Sequence, residues 1–195
     1  MSWKIDPSNS KIVFTVRHLM ITRVHGKMDR FSGLIEFDLD HPANSSVRAD
    51  IDPASVNTRL GIRDANVRSA LLKVKKHPKI TYQSKQIEVV DDSHGRIYGD
   101  LTIHGIAKQV VLDVEYNGLS QNQDGMTTAA FHAVTRLNRK DWGLKWMPLL
   151  EIGGLFVADQ LEVDIQVVAV KESNAMPQRI ETSLAEVMPA QDEVV

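Results

Sequence analysis

Cysteine is absent from all 195 residues. Its absence excludes a disulfide framework and any thiolate site, catalytic or metal-binding, and nothing requires an oxidising compartment. Long apolar runs are absent too, since no stretch approaches the ~18 residues a membrane-spanning helix needs. The opening "MSWKIDPSNS" lacks a basic start, an apolar run and a small-residue cleavage site, so the sequence reads as a cytoplasmic chain. Charge of one sign is scarce: 23 Lys and Arg stand against 25 Asp and Glu, a net charge of -2, which argues against bulk nucleic-acid binding.

Recognisable catalytic motifs are equally scarce. The chain has no G-x-S-x-G, no phosphate-binding G-x-x-x-x-G-K-[ST] and no G-x-G-x-x-G. Its seven histidines, His18, His25, His41, His77, His94, His104 and His132, show neither H-x-x-x-H nor H-E-x-x-H spacing, so no metal site and no cofactor is assigned. The carboxylate pairs Asp50 with Asp52 and Asp91 with Asp92 fall at expected strand ends and turns, where Asp is a turn residue and not a tuned acid or base. No catalytic residue is assigned.

What the chain does have is period-two alternation. "KIVFTVRH" sets Ile12, Phe14 and Val16 against Val13, Thr15 and Arg17, and "GLIEFDLD" and "SVRADIDP" follow. "KITYQSKQIEVV" and "GRIYGDLTIHG" flank the turn cluster "DDSHG" and form a hairpin. "KQVVLDVEYNG" carries Val110, Leu112, Val114 and Tyr116 in phase, "SQNQDG" ends it, and "MTTAAFHAVTRLN" and "DQLEVDIQVVAV" complete about eight strands. Short connections between so many strands predict an all-β domain over residues 1–170, a closed antiparallel barrel or a sandwich. A barrel of ~8 strands is just wide enough for side chains or one slim ligand. The small residues Gly99, Ala129 and Ala133 at inward positions favour some open space.

One stretch breaks the alternation. "RLGIRDANVRSALLKVKKHP" predicts a helix from Arg59 to Lys76, with Ile62, Val67, Leu71 and Leu72 packed on the barrel and Arg59, Arg63, Arg68, Lys73, Lys75 and Lys76 facing out. A solvated face is one reading of these cations, and attraction to an anionic head group or membrane surface is the other. Nucleic acid is excluded because the stretch has no aromatic residue on which bases could stack. Arg63 and Asp64 are expected to brace the loop through charge-assisted hydrogen bonds. Beyond Val170, two prolines and lost alternation mark residues 171–195 as a tail, flexible or with a short helix through Ile180, Leu184 and Val187.

The motif order is specific. "WKIDPSNSKIVFTVRHLMITRVHGKMDRFSGLIEFD", "SVNTRLGIRDANVRS", "YGDLTIHGIAKQVVLDV" and "NRKDWGLKW" together resemble the YceI-like, polyisoprenoid-binding family from residue 3 to about 170. The resemblance implies a lipocalin-like antiparallel barrel with an apolar tunnel for a long isoprenoid lipid. Members of this family are often exported. Where they usually carry a His and an aromatic pair in the helical stretch, this chain has Asn66 and Leu71-Leu72.

The functional expectation is non-catalytic binding or carrying of an isoprenoid-type lipid, a polyprenyl phosphate or a quinone-like tail. By strand phase and apolar size, the expected ligand contacts are Phe14, Val16, Ile35, Phe37, Leu101, Ile103, Leu112, Phe131, Leu144 and Trp146. His18, Arg59 and Arg63 are the expected head-group or mouth residues. Transient contact with an anionic membrane surface and pairing of two chains are the expected associations. The alternatives are an enzyme acting on a lipophilic small molecule through His18, Arg63 or Tyr98, and a cavity-free interaction module using the tail.

Overall fold

The computed structural model describes residues 1–18, 22–145 and 157–172, apart from the side chains of His18 and Val157. Eleven hydrogen-bonded segments are described: β1 (Ser2–Ile5), β2 (Lys11–His18), β3 (Thr22–Met28), β4 (Phe31–Glu36), β5 (Ser46–Ile51), β6 (Val56–Asn57), β7 (Ile80–Val89), β8 (His94–Ile103), β9 (Ile106–Gln121), β10 (Thr127–Asn138) and β11 (Val157–Lys171). They reduce to eight strands because three strands are bent. β1 and β2 lie in line along β11, with Ile5 opposite Ala169 and Lys11 opposite Gln166. On their other side β3 and β4 continue one another, with Met28 opposite Ile12 and Leu34 opposite Lys4. β5 and β6 repeat the arrangement against β4 and β3. The order then runs antiparallel through β7, β8, β9, β10 and β11, and the β1–β11 pairing closes the ring.

The bends have a local cause. The two outer ones carry prolines, Pro7 and Pro53, which cannot donate to a ladder. An Asp precedes each: Asp6 accepts from Ser8 N at 2.9 Å and Asn9 Nδ2 at 2.7 Å, and Asp52 accepts from Ala54 N at 2.8 Å. The bends are also tied across strands. Arg30 N donates to Ser55 Oγ at 3.0 Å, Ser55 Oγ donates to Asp52 O at 2.6 Å, and the Arg30 guanidinium reaches Asp52 Oδ2 through Nη2 at 2.7 Å. Ser10 similarly accepts from Val168 N at 2.9 Å. Side-chain hydroxyls thus replace the ladder bonds that bending removes.

Two apolar clusters occupy the barrel's two ends. At one, Trp3, Phe37, Ala129 and Ala169 are buried with Tyr116 and Phe131 against them, and the Phe37 ring lies 5.2 Å from both Tyr116 and Phe131. At the other, Trp142 and Leu144 pack with Val56, Leu72, Ile80, Tyr82 and Leu101, and Trp142 Nε1 donates to Leu101 O at 3.0 Å. Two of the three small inward residues leave no opening. A Cβ on Gly99 would sit 2.6 Å from the Tyr82 ring, and Ala129 is fully buried in the Trp3 cluster. Gly99 and Ala129 therefore make room for aromatic rings.

The helical connection differs most from its sequence reading. α1 spans Gly61–Asn66 and passes into a π-turn at Val67–Leu71, so it ends near Leu72 instead of Lys76. Lys73 takes φ +46°, a left-handed conformation that no helix continues through, and Lys75 and Lys76 lie in the following turn. Nor do the side chains sort as the alternation predicted. Ile62 is 78 % exposed, whereas Arg63 and Arg68 turn inward and donate to the Thr58 and Val56 carbonyl oxygens.

The Ser55 staple is expected to carry a measurable share of stability. Ser55→Ala leaves a half-buried Arg30 N–H without its acceptor, so chemical denaturation should show a loss of ~1–3 kcal/mol. An unchanged midpoint would mean that water replaces the hydroxyl.

Candidate functional site

Alternation in a closed ring sends every second side chain into the interior, and here those side chains do not fill it. A cavity of about 870 Å³ runs inside the barrel. The size lies in the upper part of the range for small-molecule sites. Ile12, Phe14 and Val16 from β2, Ile97, Leu101 and Ile103 from β8, Val110, Leu112, Val114 and Tyr116 from β9, and Leu161, Val163, Ile165 and Val167 from β11 form most of its wall. Many of these face inward yet are only half-buried, as expected of side chains whose free surface is a cavity wall.

The lining reaches the surface at opposite ends of β7 and β8. On the helix side it includes Thr58, Leu60, Ile62, Arg63 and Asn66; on the hairpin side it includes Glu88, Val89, Asp91, Asp92 and His94. The two mouths differ chemically. At the helix mouth Asp64, 5 % exposed, accepts from Thr58 N at 2.9 Å and Thr58 Oγ1 at 2.6 Å, while Arg63 Nε donates to Thr58 Oγ1 at 2.6 Å. That network holds the Arg63 guanidinium at the rim, and the bracing role expected of Arg63 and Asp64 is visible in it. At the hairpin mouth Asp91 accepts from the backbone of Ser93 and His94 and from the His94 ring. These bonds hold the Asp91 carboxyl at about 2 and raise the His94 imidazole.

Of the residues selected from sequence, Phe14, Val16, Ile35, Phe37, Leu101, Ile103, Leu112, Phe131 and Leu144 all line the cavity, and so does Arg63. Arg59 is exposed outside the lining, and Trp146 and the His18 side chain lie outside the described residues. Asn66 and Leu71-Leu72, which stand in place of a His and an aromatic pair, also line the helix side. Tyr98 is not part of the lining; its hydroxyl donates to Glu88 Oε2 at 2.7 Å. Sequence reading missed Trp142 and Tyr82 as lining residues, whereas Ala133, read as a small inward position, does line the cavity. Trp142 gave a signal, a Trp among the turn residues of "NRKDWGLKW", but only its bond to Leu101 shows that it closes the wall.

Beside Trp142, the β8–β9 turn places His104 at φ +57° before Gly105 at φ +76°, a reversal that suits a two-residue hairpin. The His77 and His104 rings lie 4.2 Å apart, and His104 Nε2 is buried with no hydrogen-bond partner among the described residues. Burial first, and then the neighbouring His77, Lys73 and Lys76, lower the His104 pKa. Among the described residues no group of three or more potential metal ligands occurs.

An eight-stranded antiparallel barrel around a long apolar cavity defines a class of protein built to enclose something, with its wall chemistry set by alternation. Within that class the chain belongs to the YceI-like domain family, whose profile matches residues 3–169. A UPF0312 protein of Staphylococcus aureus is 30 % identical over 165 residues, covering 84 % of this chain and 94 % of that protein. Among solved structures, a YceI protein of Campylobacter jejuni superposes with a TM-score of 0.68 at 28 % identity, over 80 % of this chain and 90 % of that one. Burkholderia cenocepacia BcnA superposes with a TM-score of 0.73 at 24 % identity, over 84 % of this chain and 98 % of that one. A structure described as a polyisoprenoid binding domain from Saccharophagus degradans gives 0.72 at 16 % identity, over 87 % and 98 %. The last two speak to the fold alone.

Because the folded state disfavours protonated His104, the unfolded chain takes up that proton first on acidification. Stability should therefore fall as the pH drops below the ordinary histidine value of 6.5 and level off once the folded form also protonates. His104→Asn, which tolerates the left-handed backbone, should show a smaller loss across that window in denaturation curves. An unchanged pH slope would assign the effect elsewhere.

Proposed function

We propose that this barrel binds and carries one long apolar lipid of isoprenoid type, such as the tail of a polyprenyl phosphate or a quinone, without covalent chemistry. The observation that carries this reading is the cavity itself, apolar along the barrel and reaching the surface at both ends. Its length suits a chain. β7 rises ~33 Å along its ten residues, and a strand tilt of ~40° leaves a barrel roughly 25 Å tall. Its chemistry suits one too: each buried CH₂ contributes ~0.8 kcal/mol, so a long tail is held by area, less the cost of ordering it. Membership in the YceI-like family and likeness to a barrel described as polyisoprenoid-binding support the same reading.

In this reading Phe14, Val16, Leu101, Ile103 and Leu112 grip the tail along the wall. Phe37, Tyr116 and Phe131 crowd it at the hairpin end, and Arg63 faces a polar or anionic head at the helix end. Binding is preferred to catalysis because two of the groups an enzyme reading would use, Arg63 and Tyr98, already have structural partners. Arg63 is tied to Thr58 at the helix rim, and Tyr98, itself outside the lining, is bonded to Glu88 at the hairpin mouth.

Gentle purification, organic extraction and mass spectrometry beside an intact native mass test the proposal directly. One lipid of isoprenoid repeat mass per chain is the expected result; an empty extract with an unshifted native mass would overturn it. Ala133→Phe places a ring in the cavity from a small lining residue. It should remove the bound lipid, at a stability cost within the ~1–3 kcal/mol of overpacking. Full occupancy in that variant would mean that the cargo does not pass Ala133.

Arg63→Gln removes the cation at the mouth and leaves a shorter, neutral polar side chain. If the cargo is anionic, its occupancy should drop several-fold with a neutral tail unaffected, and parallel loading with polyprenyl phosphate and polyprenol reads the difference.

A further inference from the structure

We propose that the helix-side mouth is a docking surface for an anionic lipid bilayer. The proposal draws its purpose from the tunnel reading, since a carrier must meet the membrane that supplies its cargo. Its evidence is separate. Leu60 and Ile62 are 51 % and 78 % exposed, and Ile62 is the most exposed large aliphatic side chain among the described residues. Both also line the cavity, so the apolar surface offered outward is continuous with the tunnel wall.

This display is built and held. Asn57 Nδ2 donates to Asp29 Oδ2 at 2.9 Å, and Asn57 Oδ1 accepts from Arg59 N at 3.0 Å, with Arg59 at φ +65°. Thr58 is locked to buried Asp64 and to Arg63. The backbone on either side of Leu60 is thereby fixed, and the two side chains keep much of their surface open to solvent. Insertion into the head-group and acyl boundary of a bilayer would bury them.

Charge selects the kind of bilayer. Arg59, Lys73, Lys75 and Lys76, all in this connection, form no ion pair among the described residues. Other cations, such as Lys4, Lys11 and Lys108, are unpaired among the described residues as well, so what marks these four is their clustering in one connection beside one mouth. The opposite mouth carries Glu88, Asp91 and Asp92. On a chain with a net charge of -2, that separation turns the basic mouth toward an anionic surface and the acidic mouth away.

Co-sedimentation of the full chain with phosphatidylcholine vesicles, with and without phosphatidylglycerol and at low and high salt, tests the surface. Sedimentation is expected only with phosphatidylglycerol and should weaken at high salt. Ile62→Ser and Leu60→Ser together should weaken it about tenfold, as should Lys75→Glu with Lys76→Glu. Val134→Ser, on the outer wall of β10, should leave it unchanged. No sedimentation would overturn the proposal and leave the patch to a protein partner; equal loss in Val134→Ser would overturn it as well. The lipid content of the same preparation is read separately. Docking by a chain whose extract is empty would retain this surface and remove the tunnel reading, whereas a loaded chain that stays in the supernatant would do the reverse.

Discussion

Ring closure is the constraint on which everything else in this molecule depends. Once β1 pairs with both β4 and β11, the sheet has no free edge around its main circumference, and strand alternation has only two destinations, interior and solvent. Every apolar residue in phase then meets the apolar residues of seven other strands. The interior becomes a continuous apolar wall without any segment having to be continuously apolar itself.

Three of the eight strands bend, and the bends are where polar chemistry has been placed inside the fold. Asp6, Asp52, Ser10 and Ser55 occur at or beside points where ladder bonds are interrupted, and each supplies a replacement. Glycine and aromatic residues solve the complementary problem. Gly26 lies under the Phe14 ring, Gly99 under Tyr82, and the rings cover backbone that a Cβ would have held away. Packing under these rings is therefore dense, while the interior beside them keeps its volume.

The helical connection lies at one of those ends and does two jobs. Its inward groups, Asp64, Arg63, Arg68 and Leu72, secure it to the barrel through hydrogen bonds and packing. Its outward groups, Leu60, Ile62 and the unpaired cations, contribute little to the fold. The proposed bilayer contact rests on these outward groups, together with the difference in charge between the two mouths.

From the sequence alone, period-two alternation determined the number of strands, the inward phase of Phe14, Leu101, Leu112 and Phe131, and the hairpin at Asp91–His94, because these depend on neighbours one or two residues apart. Ordered motifs determined the family. Tertiary structure alone decided that the interior is hollow, since whether Gly99, Ala129 and Ala133 leave space depends on rings that arrive from distant strands, and only Ala133 does. It also decided where the helix stops and which of its residues face out. Propensity runs on to Lys76, but Thr58, Asp64 and Arg63 fix the start against the barrel, and the chain must turn at Lys73 to reach β7. Those outcomes are set by contacts across tens of residues, which no local pattern records.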